Sequence, residues 1–271
     1  MTTLRLAGAA ALALGSLVTS VSAADLRVER EVVQPVMAPF LWHGFYIGAH
    51  AGYGFGSNRN VVTTGQSAGN VDNVNGGARP GFVGLSPEGF VGGVQMGYNW
   101  QFGAMVLGFE TDISYTDLRR NRTVVTTALN GVDQLNNTFR QELEYLGTVR
   151  GRLGYSFDRT LLYVTGGLAY GGIDNSGNFF GPVGQLQFSG RNRRTEVGYT
   201  IGGGLEHAFA GNWSAKLEYL YYDLGRDTVN VAFVPGGGGG GTGYNSTFRN
   251  DGHIVRAGLN YRFGGMGGGA W

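Results

Sequence analysis

The chain of 271 residues has no cysteine, so its fold is held without disulfides even if it matures in an oxidising compartment. Beyond the first 24 residues no stretch approaches the ~20 apolar residues that a membrane-crossing helix needs, which excludes a helical membrane protein. Charge is scarce, at 14% of residues, and Lys216 is the sole lysine. The arginines are spread through polar stretches rather than gathered in one tract, which argues against a nucleic-acid-binding arm. Glycine (51 residues), phenylalanine (16) and tyrosine (14) are abundant instead, a composition foreign to most globular domains.

Residues 1–23 read as a cleaved secretory signal, with a basic start at Arg5, an apolar run from Leu6 to Val21, and small residues at Ala23 and Ala24 where a peptidase would cut. Loss of Arg5 with this leader would leave basic and acidic side chains equal at 19 each. Residues 24–41, with Pro35 and Pro39 and mixed charge, read as an extended spacer.

From Gly44 the chain alternates with a period of two. Phe45, Ile47, Ala49, Ala51 and Tyr53 stand against Tyr46, Gly48, His50 and Gly52, and the pattern returns in seven further segments that end with Val255, Ala257, Leu259, Tyr261 and Phe263. Each segment is about 10 residues or slightly more, the length of a tilted strand crossing a bilayer. Of the charged residues in these segments, 12 fall on the polar faces: Glu110, Asp112, Glu142, Glu144, Arg150, Arg152, Glu196, Glu206, Lys216, Glu218, Arg256 and Arg262. On the apolar faces there is only Asp223, at a strand end. A water-exposed sandwich would put charge outside and apolar residues inside; here the small and ionic face reads as the interior and the aromatic-aliphatic face meets lipid.

The connections alternate in length. Tight turns lie at Gln101–Ala104, Asp158–Thr160 and Ala210–Asn212, while Gly56–Glu88, Asp117–Arg140, Gly171–Arg194 and Gly225–Gly252 read as long polar loops. Trp42, Trp100, Phe102, Phe157, Phe209, Trp213 and Phe263 gather near strand ends, as an interfacial girdle would. The expected fold is all-β, an eight-stranded antiparallel up-and-down transmembrane β-barrel over residues 42–263, with residues 264–271 as a Gly-rich tail.

The stretches WHGFYIGAHAGYGFG, GGVQMGYNW, GFETDISYTDL, LGTVRGRLGY, LLYVTGGLAYG, VGYTIGGGLEHAF, WSAKLEYLYYDLG and VRAGLNYRF resemble the small outer-membrane β-barrel proteins of alpha-proteobacteria. That group includes major surface antigens and haemin-binding proteins. The resemblance implies residence in the cell outer membrane and assembly by the barrel-assembly machinery. Barrels of this kind end on a terminal aromatic, which resembles Phe263, yet the chain continues to Trp271.

Six charges, Glu110, Asp112, Arg150, Arg152, Glu218 and Arg256, fall at a similar height counted from the tight turns, and opposite signs at one level imply a lumen ion-pair network. Arg119, Arg120 and Arg122, with Arg191, Arg193 and Arg194, are placed at the outer rim, level with lipopolysaccharide phosphates that guanidinium forks suit. The G-x-S-x-G of Gly65–Gly69 is read as loop without the strand and helix that a nucleophile elbow needs, and the glycines of Gly236–Gly241 as mobile loop. His43, His50, His207 and His253 show no metal-ligand cluster, His50 reads as a hydrogen-bonded lumen residue, and no cofactor is expected. Only Tyr244 lies in a loop where an exposed haem would find a ligand.

The functional expectation is non-enzymatic: a barrel that stabilises the outer membrane through lipid and lipopolysaccharide contacts and displays its loops at the surface. The alternatives are a lipid-modifying enzyme, for which only His253 stands at the outer rim, a haemin binder, or a small porin, for which eight strands are too narrow.

Overall fold

The structure is a computed structural model, and residues 40–57 and 59–263 are described. The expected leader, most of the spacer, and the tail with Trp271 lie outside them. The elements are Gly44–Gly56 (β1), Arg59–Gly65 (β2), Ala68–Asn75 (α1), Phe82–Leu85 (β3), Glu88–Phe102 (β4), Met105–Thr127 (β5), Gln134–Phe157 (β6), Thr160–Phe180 (β7), Leu186–Ala210 (β8), Trp213–Phe233 (β9) and Gly243–Phe263 (β10).

Eight of the strands, β1 and β4 to β10, pair antiparallel with their neighbours in order. The ring closes where β10 pairs with β1, from Phe45 opposite Phe263 to Gly56 opposite Gly252. Closure satisfies the backbone of every strand at membrane depth, which a lipid environment demands. The outward face carries Ile47, Val94, Met96, Leu107, Ile113, Val149, Leu168 and Leu259, all exposed as a lipid-facing belt would be. The tight turns after β4, β6 and β8 carry Gly103, Asp158 and Gly211 at positive φ, the backbone that two-residue hairpins require.

The strands run far past the expected length. β5 to β10 have 21 to 25 residues, so most of the segments read as long loops between β5 and β10 are strand. The loop expected between Gly56 and Glu88 carries β2, α1 and β3, and β2 adds to the far end of β10 through Val62 opposite Thr247 and Gly65 opposite Tyr244. The glycine run expected to be mobile is pinned: Asn70 Oδ1 accepts the N–H groups of Thr242 and Gly243, both at 3.1 Å. Gly236, Gly238, Gly241 and Gly243 supply the positive φ values this path needs.

The interior is filled in layers, ordered here from the tight-turn end. Trp42 is fully buried with Val106, Leu161, Tyr163 and Ala208; its backbone N–H donates to Gln101 Oε1 at 2.5 Å and its indole N–H to the Asp158 carbonyl at 3.3 Å. An ionic layer follows. Above it lies an apolar layer of Val91, Leu118, Leu146, Ile173, Leu220 and Ile254. A polar rung follows, where Asn175 and Asn192 donate to Asp227 at 3.0 and 2.7 Å and Gln141 donates to Asn250 at 2.9 Å. An aromatic layer of Phe139, Phe179, Phe188, Tyr244 and Phe248 ends the series. A cavity lined by Leu143, Ile173, Tyr222, Gln141 and Asn250, where the apolar layer meets the polar rung, has a volume of about 10 Å³, at the lower limit for a single water.

Trp42→Ala removes the largest side chain of the first layer and leaves a void that strands cannot collapse into. We expect it to cost about 3–5 kcal/mol, read as a lower urea midpoint for the loss of the fast-migrating folded band on detergent gels.

Candidate functional site

The ionic layer is built by strands that turn long charged side chains inward at alternate positions. Arg150 donates to Asp112 at 2.9 Å and Glu218 at 3.0 Å and also pairs with Glu110. Arg256 reaches Asp112 at 3.0 Å and Glu218 at 2.6 Å. Lys216 donates to Glu110 at 2.8 Å, and Arg152 pairs with Glu206. Tyr46 and Tyr163 donate their hydroxyls to Glu110 (2.8 Å) and Glu218 (2.9 Å), and the Arg152 guanidinium lies 3.6 Å from the centre of the Tyr163 ring. His50 bridges Gln95 and Ser114 at 2.6 and 2.8 Å.

All six charges expected at this level are within this cluster, each buried. Sequence reasoning had Lys216 and Glu206 facing inward but not among the six placed at this level, and it did not include Tyr46 or Tyr163. Inward glycines make room for the two phenols: a Cβ on Gly97 would sit 2.5 Å from the Tyr46 hydroxyl, and one on Gly204 would sit 2.7 Å from that of Tyr163. Buried charges at this density are tolerable only when each has partners, and these do.

Glu142 and Glu144 correct the expectation. A bulge between Leu143 and Tyr145 adds a residue to β6 opposite β7, so the alternation changes face there. Leu143 turns inward, while Glu142 pairs with Arg140 and Glu144 with Arg193 at 2.7 Å on the outer wall. Glu196 keeps the inward register expected of it, opposite Gly171 and in line with the buried Leu146, but it is only part-buried and pairs with Arg194.

Above the lipid-facing belt, pairing aligns Glu88, Arg119, Glu142, Asp174 and Arg193 across five strands. The next outward row is Asn121, Arg140, Ser176 and Arg191, and the one above it Thr123, Thr138, Asn178 and Ser189. Between the last two rows lies a polar groove of about 360 Å³. Of the six rim arginines, Arg119, Arg191 and Arg193 are on this wall. Arg120 instead reaches Glu88 at 3.3 Å, Arg122 the Gly84 carbonyl at 2.8 Å, and Arg194 Asp227 at 3.0 Å. Arg140 joins the wall unforeseen. Asp174 is buried beneath Arg191, whose hydrogen bonds hold its carboxyl below the usual aspartate range.

The outer membrane protein beta-barrel domain family matches residues 9–263. The chain belongs to this outer-membrane β-barrel family. It is similar to the 31 kDa outer-membrane immunogenic protein of Brucella melitensis, with 37% identity over 90% of this chain and 94% of the relative. It is also similar to the 22 kDa outer membrane protein of Rhizobium leguminosarum bv. viciae, with 30% identity over 70% and 67%. Among solved structures, the outer membrane protein OprG of Pseudomonas aeruginosa aligns with 82% of this chain and 96% of its own, at a TM-score of 0.49 and 14% identity.

Three features of this outer-membrane barrel bear on other chemistry. Ser57 Oγ stands 3.4 Å from His253 Nε2, but His253 Nδ1 meets the Tyr219 hydroxyl at 2.7 Å, so a phenol stands where an acyl hydrolase places its carboxylate. Gly65–Gly69 does lie between a strand and a helix, contrary to expectation; the Ser67 hydroxyl donates to Asn70 Oδ1 at 2.6 Å, and its described partners include no histidine. Tyr244 is no exposed loop residue: it is fully buried, and its hydroxyl accepts from Asn73 Nδ2 at 3.3 Å.

The double variant Arg150→Ala, Arg152→Ala takes a cation from each of Glu110, Asp112, Glu206 and Glu218, leaving Glu110 to Lys216, Asp112 and Glu218 to Arg256, and Glu206 with Arg262 at 3.8 Å. We expect it to lose about 3–5 kcal/mol or more, seen as a lower temperature for loss of the folded band, while the wild type shows no sustained porin-sized current in a planar bilayer. On the outer wall the Asp174 carboxyl has a depressed folded-state pKa, so the contribution of its pair with Arg191 is complete above the unfolded value of about 4 and is lost as pH falls through the folded one. A carboxyl chemical-shift titration of Asp174 should therefore give a midpoint below that of free aspartate, and Arg191→Ser should return it toward the ordinary value.

Proposed function

We propose that this outer-membrane barrel is non-enzymatic, stabilising the membrane by contacts to lipopolysaccharide and displaying its projecting end at the cell surface. The observation that carries the reading is the outer wall. Its charged row and the two polar rows above it stand just beyond the lipid-facing belt, at the height where lipid phosphates give way to sugars.

The chemistry of these rows supports that partner. Arg119, Arg140, Arg191 and Arg193 present guanidinium groups suited to phosphate oxygens, and their neighbouring carboxylates hold them outward in fixed positions. Asn121, Thr138, Ser176, Asn178 and Ser189 offer the neutral donors and acceptors that hydroxyl-rich sugars need. The lumen supports a structural role over a conducting one, since buried ionic side chains and a buried apolar cluster fill the interior of an eight-stranded ring. Surface display is in keeping with relatives named as immunogenic outer-membrane proteins.

The test is retention of lipopolysaccharide during purification. Replacing Arg119, Arg140, Arg191 and Arg193 with Ser should cut the lipopolysaccharide recovered with the barrel several-fold. The barrel should still fold in detergent, because the pairs of Arg119, Arg140 and Arg193 are exposed and contribute little, and the main cost is the buried Asp174 carboxyl left without Arg191. Arg120→Ser with Arg122→Ser, which leaves all four wall arginines in place, should retain more. Equal recovery from the wild type and the fourfold variant would reduce the wall to solvated charge.

A further inference from the structure

Arg79, in the segment between α1 and β3, sends its side chain into the aromatic layer at the projecting end of the barrel and is 3% exposed. The lumen cations Arg150, Arg152 and Arg256 all meet carboxylates. Arg79 does not: its acceptors are Asn137 Oδ1 at 2.8 Å, the Phe180 carbonyl at 3.0 Å and Gln187 Oε1 at 2.6 Å, all neutral. Among the described residues no carboxylate stands within ion-pair distance of it. The rings of Phe179 and Phe188, with centroids 5.4 and 6.0 Å from the guanidinium carbon, compensate in part. Burial lowers its pKa, opposed by the nearby Tyr244 hydroxyl, yet an arginine remains charged. A buried cation without a counter-charge is costly, and a fold that keeps one is poised to receive an anion.

The space for that anion adjoins it. A cup of about 570 Å³ is lined by Arg79, Phe188, Tyr244, Leu129 and Leu135, with the glycine strip Gly238–Gly241 as one wall and the exposed Asp72 among its lining residues. The volume falls in the range of small-molecule sites. The wall is fixed: Asn70, itself buried, donates to the Gly240 carbonyl at 3.1 Å and accepts from the N–H groups of Thr242 and Gly243, tying the strip to α1.

We propose that this cup binds a small carboxylate carried on an apolar frame, an aromatic or branched acid, with its carboxylate on Arg79 and its apolar part against Phe188, Leu129 and Leu135. A single arginine matches a single negative charge, whereas a phosphate would call for further cations that the lining does not supply. The apolar walls require a frame with surface to bury, and the cup is several times larger than a bare carboxylate. The site is separate from the outer wall proposed to meet lipopolysaccharide.

The probes are 2-naphthoate and its neutral counterpart 2-naphthamide, titrated calorimetrically into the full barrel in detergent and into detergent alone. The wild type should bind the acid saturably and about tenfold or more tightly than the amide, the difference expected of one charge-assisted contact. Arg79→Gln should abolish that preference. Gly69→Trp should abolish binding of both probes with Arg79 still in place, because a Cβ on Gly69 meets nothing within 4 Å and its side chain would occupy the cup. Each variant is first checked for the fast-migrating folded band, and if Arg79→Gln fails to fold, Gly69→Trp alone tests occupancy of the cup. The proposal is overturned by no saturable binding of the acid up to about 10 mM, by equal affinity for acid and amide, or by unchanged binding in Gly69→Trp. Displacement of the acid by inorganic phosphate at equal concentration would overturn the preference for a carboxylate.

Discussion

Glu110 is buried where Lys216, Arg150 and the Tyr46 hydroxyl converge, at a depth where neither lipid nor bulk water can solvate a carboxylate. The rest of the barrel is arranged around that requirement. Four carboxylates and five cations are buried in this part of the lumen, contributed by β5, β6, β8, β9 and β10, so the ionic layer joins strands that share no backbone hydrogen bonds. Apolar layers on both sides keep water from competing for these pairs, which strengthens each of them. Arg262 shows how one layer passes into the next: it lies 4.5 Å from the centre of the Trp42 ring and 3.8 Å from Glu206, serving the apolar and the ionic layers together.

Beyond the membrane the constraint changes. Water reaches both faces of an isolated strand there, and only a packed interior keeps the long hairpins together. The aromatic layer of Phe139, Phe179, Phe188 and Phe248 supplies that interior, and the polar rung of Asn175, Asp227 and Asn250 separates it from the apolar layer beneath. The added pair β2 and β3 extends the wall beside β10 where β1 has ended. The projecting part is thus a second packed core on the same strands.

The sequence made the membrane part legible because one face of each strand is uniformly apolar and the other holds every charge but Asp223. The projecting part was harder to read, since its outward face is polar and small, which is also how a loop reads. The signal was present: Val229, Val231 and Phe233 alternate with Thr228, Asn230 and Ala232, and Phe139 and Leu143 lie on the same inward series as Leu135. Glu142 and Glu144 were misplaced because a bulge leaves no mark in a two-residue period except that the period shifts. Lys216 and Glu206 were left out of that level because tilted, sheared strands do not keep equal residue counts at equal height. The Ser57 and His253 contact brings together residues 196 apart and could not be read from spacing.

A β6 of 24 residues, at about 3.3 Å each and tilted by roughly 40°, rises on the order of 60 Å, about twice the hydrocarbon thickness it crosses. What projects beyond the membrane is therefore a braced wall more than a fringe of pliant loops. Any one row of that wall, such as Asn121, Arg140, Ser176 and Arg191, draws a single residue from each of four strands. An antibody raised against the folded surface would grip such a row crosswise. A synthetic peptide cut from any one strand would carry only one of its four contacts, so an immunogen meant to elicit such antibodies has to preserve the pairing of the strands.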